Sequence, residues 1–310
     1  MSWQSVGVIS PGEMGTAVAT VLHTHGLRVV TCLQGRSART RQRTEAAQLE
    51  VVPTLERLVT TVDAVLSIVP TFEAPKVGAE IAQALTQSGA SLTFIDANAI
   101  SPMTSAAIEQ TITQAGGRYL DGCLNGGPAS MGSSGRLYLS GSDADRAAEV
   151  LRRHGLGVEV LGAHPGQASA FKMAYAGFTK GTTALLLELT LMAHVWGCLD
   201  TVLDTYASTY PEAFRLFTTH LTTWPEYAAI RAQEMVELTA TVEAAQLEPV
   251  MAPGAAQIIA ALAKLPWKPQ ESPDQAALAR QLPVQELIAL LASKGLRQAT
   301  APMDGNGHDG

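Results

Sequence analysis

Apolar residues follow two rhythms along this chain, and the change from one to the other divides it. In the first half, short β-branched runs alternate with stretches of helical spacing. Ser5 to Ile9 is such a run; it meets a glycine turn at Ser10 to Gly15, and Val18, Val21 and Leu22 follow at helical spacing. Arg28 to Leu33, Asp63 to Pro70 and Ser91 to Asp96 repeat the strand signal, with helical segments between them. This alternation predicts a parallel sheet covered on both faces, because each crossover helix lies on one face of the sheet. Tyr119 to Cys123, Arg136 to Ser140 and Val158 to Leu161 are expected to extend it.

From Gln167 onward the strand signals stop and helical spacing takes over, which puts a domain boundary near His164-Pro165-Gly166. The expected domains are 1–165 and 166–298, with a disordered polar tail over 299–310. Gln167 to about Gly197 reads as one helix, roughly 45 Å long at 1.5 Å per residue. Such a helix suits the spine of an all-helical domain shared with a second subunit. Shorter helices are predicted around Glu226 to Ala245, Ala255 to Lys264 and Val284 to Lys294.

A chain of 310 residues with 46% apolar content can bury two cores. Its net charge of -7 argues against nucleic acid or a membrane surface as partner, since either polyanion requires a basic footprint. A small molecule fits better. Cys32, Cys123 and Cys198 share no disulfide or zinc spacing, so buried reduced thiols are expected. The opening residues lack the pattern of a secretory leader, and the chain is expected in the cytosol. Thr182 to Val195, the most apolar later stretch, is interrupted by Glu188 and falls short of the roughly 20 apolar residues that span a bilayer. It reads as a buried helix.

The candidate chemistry begins at the glycine turn. Ser10-Pro11-Gly12-Glu13-Met14-Gly15 keeps the second and third glycines of G-x-G-x-x-G, between a strand and a helix. Gly12 would let the backbone approach a pyrophosphate, Gly15 would allow close helix packing, and the helix N-terminus would supply oriented amides. The fold class expected is therefore α/β, a Rossmann-type doubly wound parallel sheet followed by an all-α domain. NAD enzymes usually place a carboxylate at the end of the second strand to hold the ribose hydroxyls. Here no Asp or Glu occurs from Arg28 to Thr44; the segment instead runs Gln34-Gly35-Arg36-Ser37, with Arg39, Arg41 and Arg43 behind. The Arg36 guanidinium and the Ser37 hydroxyl suit a 2′-phosphate, so NADP is expected over NAD, while the later arginines read as a solvated helix start.

With Gly12, Met14 and Gly15, and Ser10 in place of the first glycine, this turn resembles the G-x-G-x-M-G of the β-hydroxyacid dehydrogenases, which include 3-hydroxyisobutyrate and 6-phosphogluconate dehydrogenases. Four further segments follow in the same order: Val69-Pro70 with Thr71, Asp96-Ala97-Asn98 with Pro102, Asp121-Gly122-Cys123-Leu124-Asn125-Gly126-Gly127, and Lys172-Met173-Ala174-Tyr175-Ala176-Gly177. The resemblance covers roughly the first 180 residues. It implies cofactor contacts from Val69, Pro70, Thr71 and Asn98, substrate contacts from Asn125, Gly126 and Gly127, and a catalytic role for Lys172. A hydroxyl must lose its proton as its carbon gives up hydride, and a neutral lysine can accept that proton. Lys172, Tyr175, Ala176 and Thr179 fall at i, i+3, i+4 and i+7, which one helix face presents together.

Departures from the family pattern bear on the substrate. Tyr175-Ala176 stands where relatives carry His-Asn or Asn-Asn, and Thr179 replaces a glutamate acid, which tells against decarboxylation of a sugar phosphate. Around Gln233-Glu234 a Lys-Asp pair is missing, leaving Glu234 to face a cationic or polyhydroxylated substrate. These features are most similar to a poorly characterised, phosphogluconate-dehydrogenase-like branch with a divergent helical domain. The leading expectation is NADP-dependent hydride transfer on a β-hydroxyacid or related alcohol, in a homodimer, with no metal. Imine reduction with Tyr175 as proton donor, and a non-catalytic NADP sensor or scaffold, are the alternatives.

Overall fold

A computed structural model describes residues 3–9, 11–266 and 273–296. Ser10 and the expected tail at 299–310 lie outside the described residues. The chain divides into two compact units, Met1–Ala174 and Tyr175–Gly310.

The first unit runs β1 (Ser5–Ile9), α1 (Glu13–Thr24), β2 (Arg28–Cys32), α2 (Ala38–Ala46), β3 (Glu50–Val52), α3 (Leu55–Val59), β4 (Ala64–Ser67), α4 (Ala74–Ser88), β5 (Thr93–Asp96), α5 (Pro102–Gln114), β6 (Arg118–Asn125), β7 (Arg136–Ser140), α6 (Ala144–Arg153) and β8 (Val158–Gly162). The strands form one eight-stranded sheet in the order β3-β2-β1-β4-β5-β6-β7-β8. This is the α/β, doubly wound class the alternation predicts. Neighbouring residues along the central strands enter different cores. Val8, Val29, Leu66, Ile95 and Leu120 belong to one cluster with Val18 and Leu22 of α1 and Leu151 of α6. Ile9, Val30, Val65, Phe94 and Tyr119 belong to another, with Leu58 of α3, Ile81 and Leu85 of α4 and Ile108 of α5. Because side chains alternate across a strand, this two-core pattern follows from apolar runs with no polar face.

Two details depart from the expected sheet. β3, only three residues long, is an edge strand that periodicity did not single out. β7 pairs antiparallel to β6, with Asp121 opposite Ser140 and Asn125 opposite Arg136. The connection from Gly126 to Gly135 holds only a single 3-10 turn, Pro128–Ser130, and is too short for the crossover that a parallel partner needs. β8 then returns parallel to β7.

α7 (Gln167–Val195) begins in the first unit, and the second unit continues with α8 (Leu199–Thr209), α9 (Pro211–Leu221), α10 (Trp224–Ala244), α11 (Met251–Ala263), α12 (Pro273–Gln281) and α13 (Val284–Ser293). Helical spacing identified α7, α10, α11 and α13 but passed over α8, α9 and α12. The core of this unit gathers Leu187, Phe217, Trp224, Met235, Ile259 and Leu287. At Gly177 a Cβ would stand 2.8 Å from Leu238 Cδ2, so the glycine lets α10 come close to α7. Two expectations fail here. Thr182 to Val195 is not a wholly buried helix, since Leu185, Met192 and Val195 are about half exposed. Cys198 is exposed, whereas Cys32 and Cys123 are buried. Among the described residues no helix is long and apolar enough to cross a membrane.

Candidate active site

The glycine turn leaves β1 and enters α1 through Gly12, whose extended backbone (φ -66°, ψ -162°) forms the helix N-cap without any side-chain cap. Thr16 fixes the turn by donating from Oγ1 to the Pro11 carbonyl (2.9 Å), and its amide begins the helical ladder on Gly12 O (2.9 Å). Gly15 is buried and Met14 packs on the core. An uncapped helix start at the C-terminal end of a central strand is a place for an anion, because the first-turn amides and the helix dipole point outward there. Glu13 does something different from the rest of the turn. Its carboxylate receives Arg43 (2.6 Å) and Arg39 (3.3 Å) and so ties α2 to the turn.

That tie sorts the arginines after β2. Arg41 donates to the Leu33 carbonyl (2.8 Å), and Ser37 caps α2 by accepting from the Thr40 amide (3.3 Å). Arg36 alone of the four arginines has a buried nitrogen, Nε, without a hydrogen-bond partner. It lies, with Gly35, in the wall of a cavity of about 410 Å³ formed by the ends of β1 and β2 and by α3 and α4. Glu56, Glu73, Glu80 and Lys76 also reach this cavity, Lys76 lying 3.9 Å from Glu80. Lys76 is a second cation that sequence reading missed, because its place in the wall depends on packing between helices.

The loops after β4 and β5 are tied together by Asn98. Its Oδ1 accepts from the Val69 amide (2.7 Å), and its Nδ2 donates to Ser67 Oγ (3.0 Å) and Asp96 Oδ1 (2.6 Å). Thr71 adds a bond from Oγ1 to the Ala99 carbonyl (3.0 Å). The Asn98 side chain is thus engaged within the protein, holding the Val69-Pro70 segment in place. Asp96 is fully buried and its Oδ2 has no partner. Burial pushes its carboxyl up to about 7; the Asn98 amide works against this and the neighbouring Asp121 charge adds to it.

Asp121 organises the next part of the site. This buried carboxylate in mid-β6 accepts five hydrogen bonds: from Ser105 Oγ of α5 (3.1 Å), Ser140 Oγ of β7 (3.0 Å), the Gly166 amide (2.8 Å), and both the amide (2.9 Å) and Oγ (2.5 Å) of Ser169 in α7. Ser140 Oγ in turn accepts from the Ala168 amide (3.0 Å). One helical turn beyond Ser169, Lys172 donates from Nζ to the Leu124 carbonyl (2.7 Å). Lys172 therefore stands at the end of β6, next to the start of the Asn125–Gly127 loop. Gly126 has φ +112°, and a Cβ there would stand 2.5 Å from Ser130 Oγ, so the turn requires glycine. Gly127 is exposed with open space around it. Cys123 is buried, and that burial pushes its thiol up to about 12, which excludes a ready thiolate.

Tyr175, Thr179 and Glu234 belong to the second unit. Tyr175 is exposed, whereas Ala176 and Thr179 are buried, so the expected common face of α7 divides by environment. Thr179 donates from Oγ1 back to the Tyr175 carbonyl (3.1 Å). Glu234 is ion-paired with Lys180 of α7, both side chains being largely buried. Glu234 is therefore not a lone anion: Lys180 partners it within the second unit. Arg231, one turn before Glu234 on α10, donates to Thr223 Oγ1 (2.9 Å), lies over the Tyr227 ring, and is brought down to about 10 by burial. Among the described residues no cluster of His, Cys, Asp and Glu is placed to hold a metal.

Residues 5–162 match the model of the NAD binding domain of 6-phosphogluconate dehydrogenase. The chain belongs to the β-hydroxyacid dehydrogenase superfamily. Residues 193–262 match a further family described as a domain of unknown function (DUF1932). Membership makes the chain a hydroxyacid-dehydrogenase-like oxidoreductase of the NAD(P)-dependent kind. Among solved structures it is similar to a conserved protein of unknown function described as structurally similar to 3-hydroxyacid dehydrogenases (29% identity, TM-score 0.64, covering 90% of this chain and 100% of that one). It is also similar to a conserved hypothetical protein of Sinorhizobium meliloti (26%, TM-score 0.66, covering 94% and 96%). A 3-hydroxyisobutyrate dehydrogenase of Mycobacterium tuberculosis, solved with L-serine, shares the fold at 18% identity (TM-score 0.67, covering 93% and 99%). The uncapped start of α1 and the Arg36 side chain in the wall of the β2 cavity fit a bound dinucleotide.

Proposed function

We propose that the chain is an NADP-dependent dehydrogenase or reductase acting on a β-hydroxyacid or related alcohol, with Lys172 carrying the proton. The observation that carries this reading is the Lys172 ammonium on the Leu124 carbonyl, beside the glycine loop. Gly12, Met14 and Gly15 would hold the pyrophosphate, Arg36 and Ser37 the 2′-phosphate, and Val69-Pro70 would flank the nicotinamide. When bound, that group accepts or returns the hydride. During oxidation Lys172, in its neutral form, takes the hydroxyl proton; in reduction its ammonium returns a proton to the carbonyl oxygen as the alkoxide develops. Asn125, Gly126 and Gly127 supply an amide and backbone N–H groups to the substrate carboxylate or hydroxyl.

Support for NADP comes from the contrast among the arginines: Arg39, Arg41 and Arg43 are engaged with Glu13 or Leu33, while Arg36 lines the cavity and its buried Nε has no hydrogen-bond partner. Titration by fluorescence is expected to give NADPH tighter binding than NADH. Arg36→Ala should weaken NADPH about tenfold, as expected for roughly 1.4 kcal/mol of charge-assisted bonding, and leave NADH unchanged. Equal binding of the two cofactors by the unaltered protein would overturn the NADP assignment.

The working form is a homodimer in the cytosol. Phe178, Leu185 and Met192, seven residues apart along α7, are exposed apolar side chains, and Trp196 beyond them is 79% exposed. Large exposed apolar side chains repeated along one helix suit a protein partner, and a second copy would cover them. Light scattering on the full chain is expected to give twice the chain mass. A monomer at micromolar concentration would refute the dimer.

A further inference from the structure

From the hydrogen bonds around β6 we infer that Asp121 is a positioning residue for Lys172, setting where the ammonium stands by fixing the first turn of α7. The inference rests on the reading of Lys172 as proton carrier. Its basis is geometric. Asp121 is wholly buried in the middle of β6, a position where a carboxylate persists only with compensating donors. The donors come from α5, β7 and the start of α7, and three of the five belong to Gly166 and Ser169. A helix start normally depends on its own N-cap side chain; here the Gly166, Ala168 and Ser169 amides are satisfied by Asp121 and Ser140 from the sheet.

The same strand then holds the helix a second time. Asp121 binds Ser169, and Leu124, three residues along β6, binds Lys172, three residues along α7. Two points of attachment fix both the rotation of α7 and its distance from β6, so the lysine has one place to stand. The carboxylate also places negative charge at the positive end of the α7 dipole, which favours the docked helix. Ser105, which also meets Tyr119 OH (2.8 Å), shares the Asp121 Oδ1 oxygen with Ser169, so α5 and α7 are tied to the same carboxylate.

Asp121→Asn tests this with little change of shape, because the Ser105 and Ser169 hydroxyls can turn to accept from the new amide. The probe is the lysine ammonium spectrum of the ¹⁵N-labelled full chain, with Lys172→Met assigning the Lys172 signal. The unaltered protein is expected to show a Lys172 ammonium that exchanges slowly with water. In Asp121→Asn its exchange should rise at least tenfold while NADPH affinity stays within twofold. With NADP and 3-hydroxyisobutyrate, kcat should fall at least tenfold with little change in KM. Should Asp121→Asn not fold, Ser169→Ala, which removes one donor, is expected to give a smaller rise in the same exchange rate. An unchanged ammonium signal in whichever variant folds would overturn the inference. Full turnover by Lys172→Met would instead sink the proton-carrier reading and leave the placement of the ammonium standing.

Discussion

Two helix starts in the first unit receive opposite treatment. α1 begins at Gly12 with no side chain to cap it, whereas α7 begins under a carboxylate and a hydroxyl supplied by neighbouring strands. Both ends present the same positive dipole, and the difference lies in what satisfies it. An end left open keeps its amides for an anion that arrives from outside. An end closed by a resident anion gives up that capacity and gains a fixed position, one turn before the lysine.

The comparison breaks most sharply if α1 is closed in the same way. Gly12→Asp would supply a cap and a negative charge where the pyrophosphate is expected. NADPH binding should weaken about 100-fold, or roughly 2.7 kcal/mol, while thermal stability stays level or rises. Retention of NADPH affinity in a titration of that variant would show that the α1 end is not the phosphate site.

The closed end has an electrostatic cost that a smaller effect exposes. Asp96 lies opposite Asp121 in the sheet and titrates at about 7, mainly through burial and in part through the Asp121 charge. Its folded-state value lies above the ordinary 3.8, so the folded protein holds this proton more tightly than the unfolded chain does. The stabilisation is fully present below about 3.8 and is lost as pH rises through about 7. Between pH 5 and 7 the unaltered protein should lose on the order of 2 kcal/mol from this group, and Asp96→Asn should lack that slope. Urea unfolding at pH 5, 6 and 7 measures both; parallel curves for the two proteins would remove Asp96 from the explanation.

The sequence made the layered sheet legible because Ser5–Ile9, Ala64–Ser67 and Thr93–Asp96 are short apolar runs that bury both faces. The glycine turn and Lys172 were visible for a related reason: each belongs to a local pattern of fixed spacing. What stayed hidden was pairing across distance. Nothing near Glu234 announces Lys180, and nothing in Gln34–Arg43 announces that Arg39 and Arg43 pair with Glu13. Asp121 did leave a signal, a charged residue inside a run that otherwise reads as a fully buried strand. Its four partner residues, up to 48 positions away along the chain, could be named only from the fold.

Those separations also bear on transplantation. The Lys172–Gly177 motif is compact enough to be copied onto the helix of another scaffold, but the coordinates of its lysine are stored elsewhere, in Asp121, Leu124 and Ser140. A grafted motif would carry the reagent without its address; the smallest portable version includes the β6–β7 hairpin.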